Sequence, residues 1–568
     1  MAQYNLKKHI ENARDKKAEL VIKNARVVNV FTEEIEEGDV GIADGLILGI
    51  GDYDAARVID AKGAYLCPGL IDAHLHIESS VAHPSRFCDA VLEKGTTTLI
   101  CDPHEMANVC GARGIRYMLR ETEDVPLNAY FMIPSCVPCT SFETSGFKLY
   151  ARDMEEFLSH PRVLGLGEVM DSVAVVNCEE TMLEKLALFE GGCMDGHAPL
   201  LGGDRLNAYV TAGPRTDHEC GEYWEIKEKL GKGMYILLRL GSVCRGMDGI
   251  FRRIAEEKLP TRRLCFCTDD KHMEDIRVEG HMNYILRRAV SNGIDPIHAV
   301  QMATINSAEA HRLERIGAVS PGYKADLVLF DNLKDFNVLS VIVGGKPFVR
   351  GAEHSLQRME GIYDSVRLAP RAPDCLQLRV NGKTPVLNAV DNELLTHLTM
   401  EEVPSKDGLF TPTGDLLKLA LLERHHASGR IGLGIMRGFR IHNGAVASTV
   451  GHDSHNLVVA GDNDADMLKA VDLLEECGGG YVVVSGGVAL AKLPLPIAGL
   501  MSDLSLNEME ERLRQLLDAL RGIGEWSGES DPFIWLSFIS LPVLPNVRLT
   551  DLGVFDVTKM QFVGKGDA

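Results

Sequence analysis

Basic charge is scarce in this chain: 59 Lys and Arg stand against 81 Asp and Glu, a formal net charge of −22. Nucleic-acid binding draws on clustered Lys and Arg to neutralise phosphates, so no nucleic-acid partner is expected. The carboxylate excess also argues against an anionic membrane surface and reads as solubility. Long apolar runs are missing too. No stretch approaches the roughly 18 residues of a membrane-spanning helix, so no membrane association is expected. Met1 to Lys17 is polar and charged and does not read as a secretory signal. The 14 cysteines are scattered. One CxxC occurs, Cys136-Val137-Pro138-Cys139, without a second pair at zinc-ribbon spacing. Free thiols in a reducing, cytoplasmic setting are the expectation. No GxGxxG follows an early strand, so no residue is assigned to an organic cofactor, and no repeat or long low-complexity segment is present.

What is there is a chain of 568 residues, too long for one core, with an ordinary 45% hydrophobic and 25% charged residues. Two or three domains follow. Residues 18–66 read as short strands punctuated by turn signals such as Lys23-Asn24 and Asp44-Gly45. From Cys67 to about His311, apolar stretches alternate with helix-length segments, which predicts βα units around a parallel sheet. That length suits a closed (β/α)8 TIM-like barrel over 67–316. Gly322 to Phe330 and Val338 to Val343 return to the short-strand texture, so 1–66 and 317–360 are expected to meet in one small β-sandwich domain flanking the barrel. Residues 361–568 read as a further α+β domain, with strands at Leu457 to Ala460 and Tyr481 to Val484 around the helical stretch Asp464 to Cys477.

The most informative residues are His74 and His76, which end the apolar run Leu66-Cys67-Pro68-Gly69-Leu70-Ile71-Asp72-Ala73. Side chains at i and i+2 of a strand share a face, so both imidazoles can grip one cation. In a (β/α)8 barrel, catalytic residues gather where strands end. Successive strand ends here carry Asp102-Pro103-His104-Glu105, Glu168, Asp195-Gly196-His197, Thr216-Asp217-His218-Glu219 and Asp269-Asp270. Any one of these could be a loop residue facing water; their recurrence points to a metal centre. Mixed imidazole and carboxylate donors suit Zn, Fe or Mn. A bridging carboxylate would allow two cations, which depress the pKa of a shared water. A carboxylate not used as a ligand can move protons.

These segments resemble the amidohydrolase superfamily of metal-dependent hydrolases, on Pro68 to His76, the two later histidines, the Asp after strand eight, and Gly322 to Leu327. Nearly the full chain is similar, more narrowly, to the adenine deaminase family. That likeness rests on His76-Ile77-Glu78-Ser79-Ser80, Asp102-Pro103-His104-Glu105, Gly167-Glu168-Val169-Met170, Asp195 to Pro199, Asp217 to Cys220, Cys267 to Asp270, Gly451 to Asn456 and Leu493 to Ser502. At the position of Glu168, dihydroorotase and hydantoinase have a carboxylated lysine. The resemblance implies a binuclear centre of manganese or iron, with zinc also compatible. His74, His76 and Asp269 would hold one ion, His197 and His218 the other, and Glu168 would bridge. It implies hydrolytic deamination of adenine, with Asp269 taking a proton from the attacking water, Glu105 as proton shuttle and Asp102 orienting or assisting it. It also implies a homodimer.

Two departures from the family pattern stand out. Leu240 follows Arg239 where an acidic residue is common, which leaves the partner of Arg239 open, and Asp171 follows Met170 where Asn is usual. His452-Asp453-Ser454-His455-Asn456 reads equally as a turn within its own domain or as a cover for the active site. His298 and His311 read as ordinary helix residues, His425-His426 as a solvated pair, and His104, His272 and His281 are ambiguous. Two alternatives stay open: an amidohydrolase for another aminopurine or a cyclic amide, and a catalytically silent barrel scaffold.

Overall fold

The computed structural model describes residues 6–350, 356, 358–389, 396–525 and 532–563. Its centre is a parallel barrel of strands β1 (Leu70–Leu75), β2 (Thr96–Cys101), β3 (Asn128–Pro134), β4 (Val163–Val169), β5 (Cys193–Gly196), β6 (Thr216–Asp217), β7 (Tyr235–Arg239) and β8 (Leu264–Cys267). β1 to β5 pair in sequence order, as do β6 to β8. The ring closes on one side through Asp269 N–H to His74 O at 3.1 Å and His76 N–H to Asp269 O at 3.2 Å. On the other, Arg215 N–H donates to Met194 O at 3.0 Å. β1, β2, β5 and β8 are buried along their whole length, as strands covered by helices on one side and barrel interior on the other must be.

Strands from both flanks of the barrel share one eight-stranded sheet. Tyr65–Pro68 runs antiparallel to Leu327–Phe330, with Leu66 opposite Leu329, and Leu20, Ile22, Val27, Val40, Leu327 and Ile342 pack on one face. The C-terminal region builds a second eight-stranded sheet, in the order 396–402, 383–389, 431–437, 416–422, 457–461, 445–448, 480–485, 488–494. Period-2 alternation splits its residues between two cores. Leu457, Val459, Val482 and Val484 face the helix Asp464–Cys477. Val458, Ala460, Tyr481 and Val483 join the apolar core that continues into the barrel. That helix starts at Asn463, whose side chain accepts from Asp466 N–H, and stops at Gly478, whose φ of 75° favours glycine. A longer helix, Leu506–Ile523, is capped by Ser505 and Glu508 in a capping box and buries Leu506, Met509, Leu513, Leu516 and Leu520 on one stripe. No described helix is long and apolar enough to cross a membrane.

Candidate active site

Alternation along β1 turns Asp72, His74 and His76 to one face. Asp72 ties β1 to β8 by accepting from Thr268 N–H at 3.0 Å and Thr268 Oγ1 at 2.5 Å. His281, fully buried, stands behind it with Nε2 3.2 Å from Asp72 Oδ2 and Nδ1 2.9 Å from Thr96 Oγ1. His281 therefore braces the strand from outside the centre. The ring of His76 is oriented by Nδ1, 2.8 Å from Asp102 O, which leaves Nε2 for the interior.

Glu168, at the end of β4, stands between two histidine groups. Its Oε1 lies 3.0 Å from His74 Nε2 and 2.9 Å from His76 Nε2; its Oε2 lies 3.1 Å from His197 Nδ1. Asp269 Oδ1 faces the first group, 3.3 Å from His76 Nε2 and 3.7 Å from His74 Nε2. The ring of His218 stacks on that of His74, centroids 4.0 Å apart. Among the groups of potential ligand atoms that lie within 4.8 Å of one another, His74–His76–Glu168–Asp269 and Glu168–His197–His218 meet here and share Glu168. The donor atoms are poorly served by the protein itself. His74 Nε2, Glu168 Oε1 and His218 Nδ1 are buried without a hydrogen-bond partner, although His74 and Glu168 are close enough for one. Orphaned donors and acceptors converging in a buried space are costly unless a cation unites them. These residues fit a metal centre of imidazole and carboxylate ligands.

Charge is balanced around this centre. Burial works against ionising Glu168, but the charges of His104 and His76, the bond from His197 and the close contact of His74 hold it well below the usual carboxylate range. Burial, followed by the neighbouring His74, keeps His218 well below the usual imidazole range, leaving a lone pair for a cation. Asp102 is pushed up to about 7 by burial and by the charge of Glu168. Its carboxylate groups with His104 and Glu168. A side chain at position 167 would collide with it, a Cβ there falling 2.1 Å from Asp102 Oδ2, so Gly167 is what lets Asp102 sit against β4.

Arg239 finds its partners in Glu219, which it grips with both terminal nitrogens, and in Asp269 Oδ2 at 2.8 Å. Leu240 is buried in the core, and the acidic partner comes from the end of β6 instead. Asp171 caps the short helix Ser172–Val176 by accepting from Ala174 N–H at 2.8 Å. Glu105, on the first turn of the helix His104–Cys110, has Oε1 2.9 Å from His452 Nδ1. The turn at 452–456 thus reaches the barrel mouth.

A cavity of about 410 Å³ opens over these groups. His76, Glu105, Glu168, His197, Asp269 and Asp270 form its polar wall; Phe538, Leu541, Val543, Leu544 and Pro545 form an apolar one. The apolar wall was not visible as a site in sequence, because it carries no ionisable residue and no spacing signal. Other histidines sort differently. His311 is a core residue, 3.3 Å from Asp195 Oδ1, and His298 is at the surface beside Glu33. The expectation of a solvated pair at His425-His426 is corrected for His425, which is buried with Nε2 2.7 Å from Ser454 O; His426 is exposed, as expected, with Nε2 3.0 Å from Ser145 O. Both side chains stitch the C-terminal sheet to neighbouring loops.

The amidohydrolase family matches residues 65–348, and the adenine deaminase C-terminal domain matches residues 393–561. Adenine deaminase 2 of Carboxydothermus hydrogenoformans is 44% identical, over 98% of this chain and 99% of its own length. Adenine deaminases of Clostridium acetobutylicum and Geobacillus kaustophilus are 42% and 44% identical, over 99% and 97% of this chain and 100% and 97% of theirs. With matches that run from end to end, this chain belongs to the adenine deaminase family of the amidohydrolases.

Proposed function

We propose that the chain hydrolyses adenine at C6 to hypoxanthine and ammonia at a binuclear centre of manganese or iron, zinc also fitting the donors. The observation that carries this reading is Glu168, whose two oxygens face different histidine groups. His74, His76 and Asp269 would hold one ion, His197 and His218 the second, with Glu168 shared. Divalent cations there lower the pKa of a water and stabilise negative charge on oxygen.

The protein's own groups handle orientation and protons. Asp269 accepts the proton of the water that attacks C6, and Arg239, bonded to Oδ2 at 2.8 Å, fixes that carboxylate. Glu105, ionised at rest, takes up the other proton of that water and relays it to the ring nitrogen beside C6, so that negative charge does not build up on the base, and Asp269 passes its proton to the amino group, which leaves as ammonia. Asp102, beside His104 and Glu168, assists by holding proton and charge behind the centre. The apolar wall from Phe538 to Pro545 receives the flat face of the base and excludes bulk water. The same reading divides the chain into a flanking β unit (1–66 with 317–360), the barrel (67–316) and a C-terminal unit (361–568), and makes the protein a cytoplasmic homodimer.

The test is ammonia release from adenine and a panel of aminopurines and cyclic amides, using manganese- or iron-loaded protein beside its metal-stripped form. Adenine turnover that depends on the metal is expected. Activity confined to another compound would replace adenine as substrate, and inertness of the loaded protein toward the whole panel would end the reading.

A further inference from the structure

Glu105 is 1% exposed. A carboxylate so placed needs a partner to stay charged and aimed. The nearby Arg and Lys of the barrel are engaged elsewhere, Arg239 with Glu219 and Asp269, Lys271 with Glu279 at 3.1 Å and Lys229 with Asp217 at 2.9 Å, and His104 acts on Glu105 through its charge alone. What the barrel offers Glu105 is Ser79 Oγ at 3.4 Å, a hydroxyl already committed to Asp270 at 2.5 Å. Asp270, which shares the Ser79 hydroxyl with Glu105, and Glu78, which accepts from Met106 N–H at 3.2 Å, crowd it with further carboxylates and add repulsion. The close cationic contact comes from the C-terminal unit, through His452 Nδ1 at 2.9 Å.

His452 is itself firmly placed. Its ring stacks on Phe538, centroids 4.3 Å apart. Its N–H donates to Ser537 O at 2.8 Å, and its carbonyl accepts from Ser540 Oγ at 3.1 Å. The turn around it is pinned by the buried guanidinium of Arg424, which donates to the carbonyls of His455, Thr449 and Ala498. A rigid imidazole on one structural unit thus meets a buried carboxylate on another.

We propose that His452 is the positioning residue of Glu105, so that the catalytic centre is completed by the C-terminal unit. This inference rests on the reading of Glu105 as the proton shuttle. The Nδ1 bond fixes Oε1 against the repulsion of Glu78 and Asp270, and leaves the second oxygen to serve the base.

The experiment measures kcat, KM and bound cations in the metal-loaded full-length protein for His452→Ala, His452→Asn, Glu105→Gln and the double variant His452→Ala/Glu105→Gln. His452→Ala is expected to lower kcat about 100-fold or more, within the range for a displaced general acid, with KM within about threefold and cation content equal to the parent's. His452→Asn, whose amide nitrogen takes the place of Nδ1, is expected to recover about tenfold of that loss. The double variant should turn over no more slowly than Glu105→Gln alone, because groups that act as a unit are not additive. If His452→Ala does not fold, His452→Gln, whose longer amide misses the place of Nδ1, serves as the low reference. An unchanged kcat, a loss explained by missing cations, no gain from Asn, or losses that multiply in the double variant would each overturn the role of His452. Undiminished turnover in Glu105→Gln would overturn the underlying reading of Glu105, a failure distinguishable from the others because it appears without any change at His452.

Discussion

Arg239 Nη1 donates to Asp269 Oδ2 at 2.8 Å while both of its terminal nitrogens hold Glu219. One guanidinium therefore carries two carboxylates at the rim of the cavity, one from the end of β6 and one just after β8. Asp269 adopts a φ of 58°, a left-handed conformation unusual for a residue with a side chain, so its placement depends on such outside restraints. Arg239→Gln should leave two carboxylates without their cation. A loss of up to about 3 kcal/mol of stability is expected, measured by denaturant unfolding. A fall in kcat of about 100-fold is also expected, since a small misplacement of Asp269 costs that much. Arg239→Lys should not restore activity, because a point charge cannot span both partners as a planar fork does.

Glu168 is shared by the His74–His76–Asp269 and His197–His218 groups, whereas His218 belongs to one. Glu168→Ala is therefore expected to abolish binding of both cations, and His218→Ala to weaken chiefly one, as read by metal analysis of dialysed protein. Chelation of the parent should lower the thermal midpoint and added manganese or iron should restore it, because a ligand at 100 times its Kd contributes about 2.7 kcal/mol to the folded state. Glu168→Ala should show no such shift.

Glu143 is buried beside Cys139, whose thiol donates to it at 3.2 Å, and burial together with the charge of Asp453 pushes its carboxyl up to about 8. Between its unfolded value near 4.3 and about 8, the folded state holds a proton that the unfolded chain has released. Stability therefore declines as pH rises through that window. Glu143→Gln removes the titration. The variant should gain stability relative to the parent as pH is raised from 5 to 8, the difference vanishing near pH 4, in urea titrations at each pH.

Much of the barrel and its polar rim was legible in sequence, for a physical reason. A strand alternates faces, and a (β/α)8 barrel exposes functional groups where strands end, so His74, His76, Glu168, His197, His218 and Asp269 could be found by position along the chain. The gathering of those six residues in the structure follows that logic. Arg239 was harder, since Leu240 breaks the usual pattern and its partner, Glu219, comes from another strand end. The turn at His452 read equally as a turn within its own domain or as a cover for the active site, and the wall at Phe538 to Pro545 had no local signal of its purpose. Their relation to Glu105 is tertiary, made by one face of the C-terminal sheet joining the core of the barrel. His425 was misread for the same reason: beside an exposed His426 it looks hydrated until the distant carbonyl of Ser454 closes on it.

The apolar wall lies far downstream of the barrel strands along the chain. During synthesis the barrel strands leave the ribosome well before Phe538 to Pro545, so a chain cut short before Phe538 would carry the rim histidines yet lack the apolar wall of this cavity. An assembled rim of histidines is thus one half of the requirement and a downstream apolar surface the other, so the two segments have to be inherited and kept together.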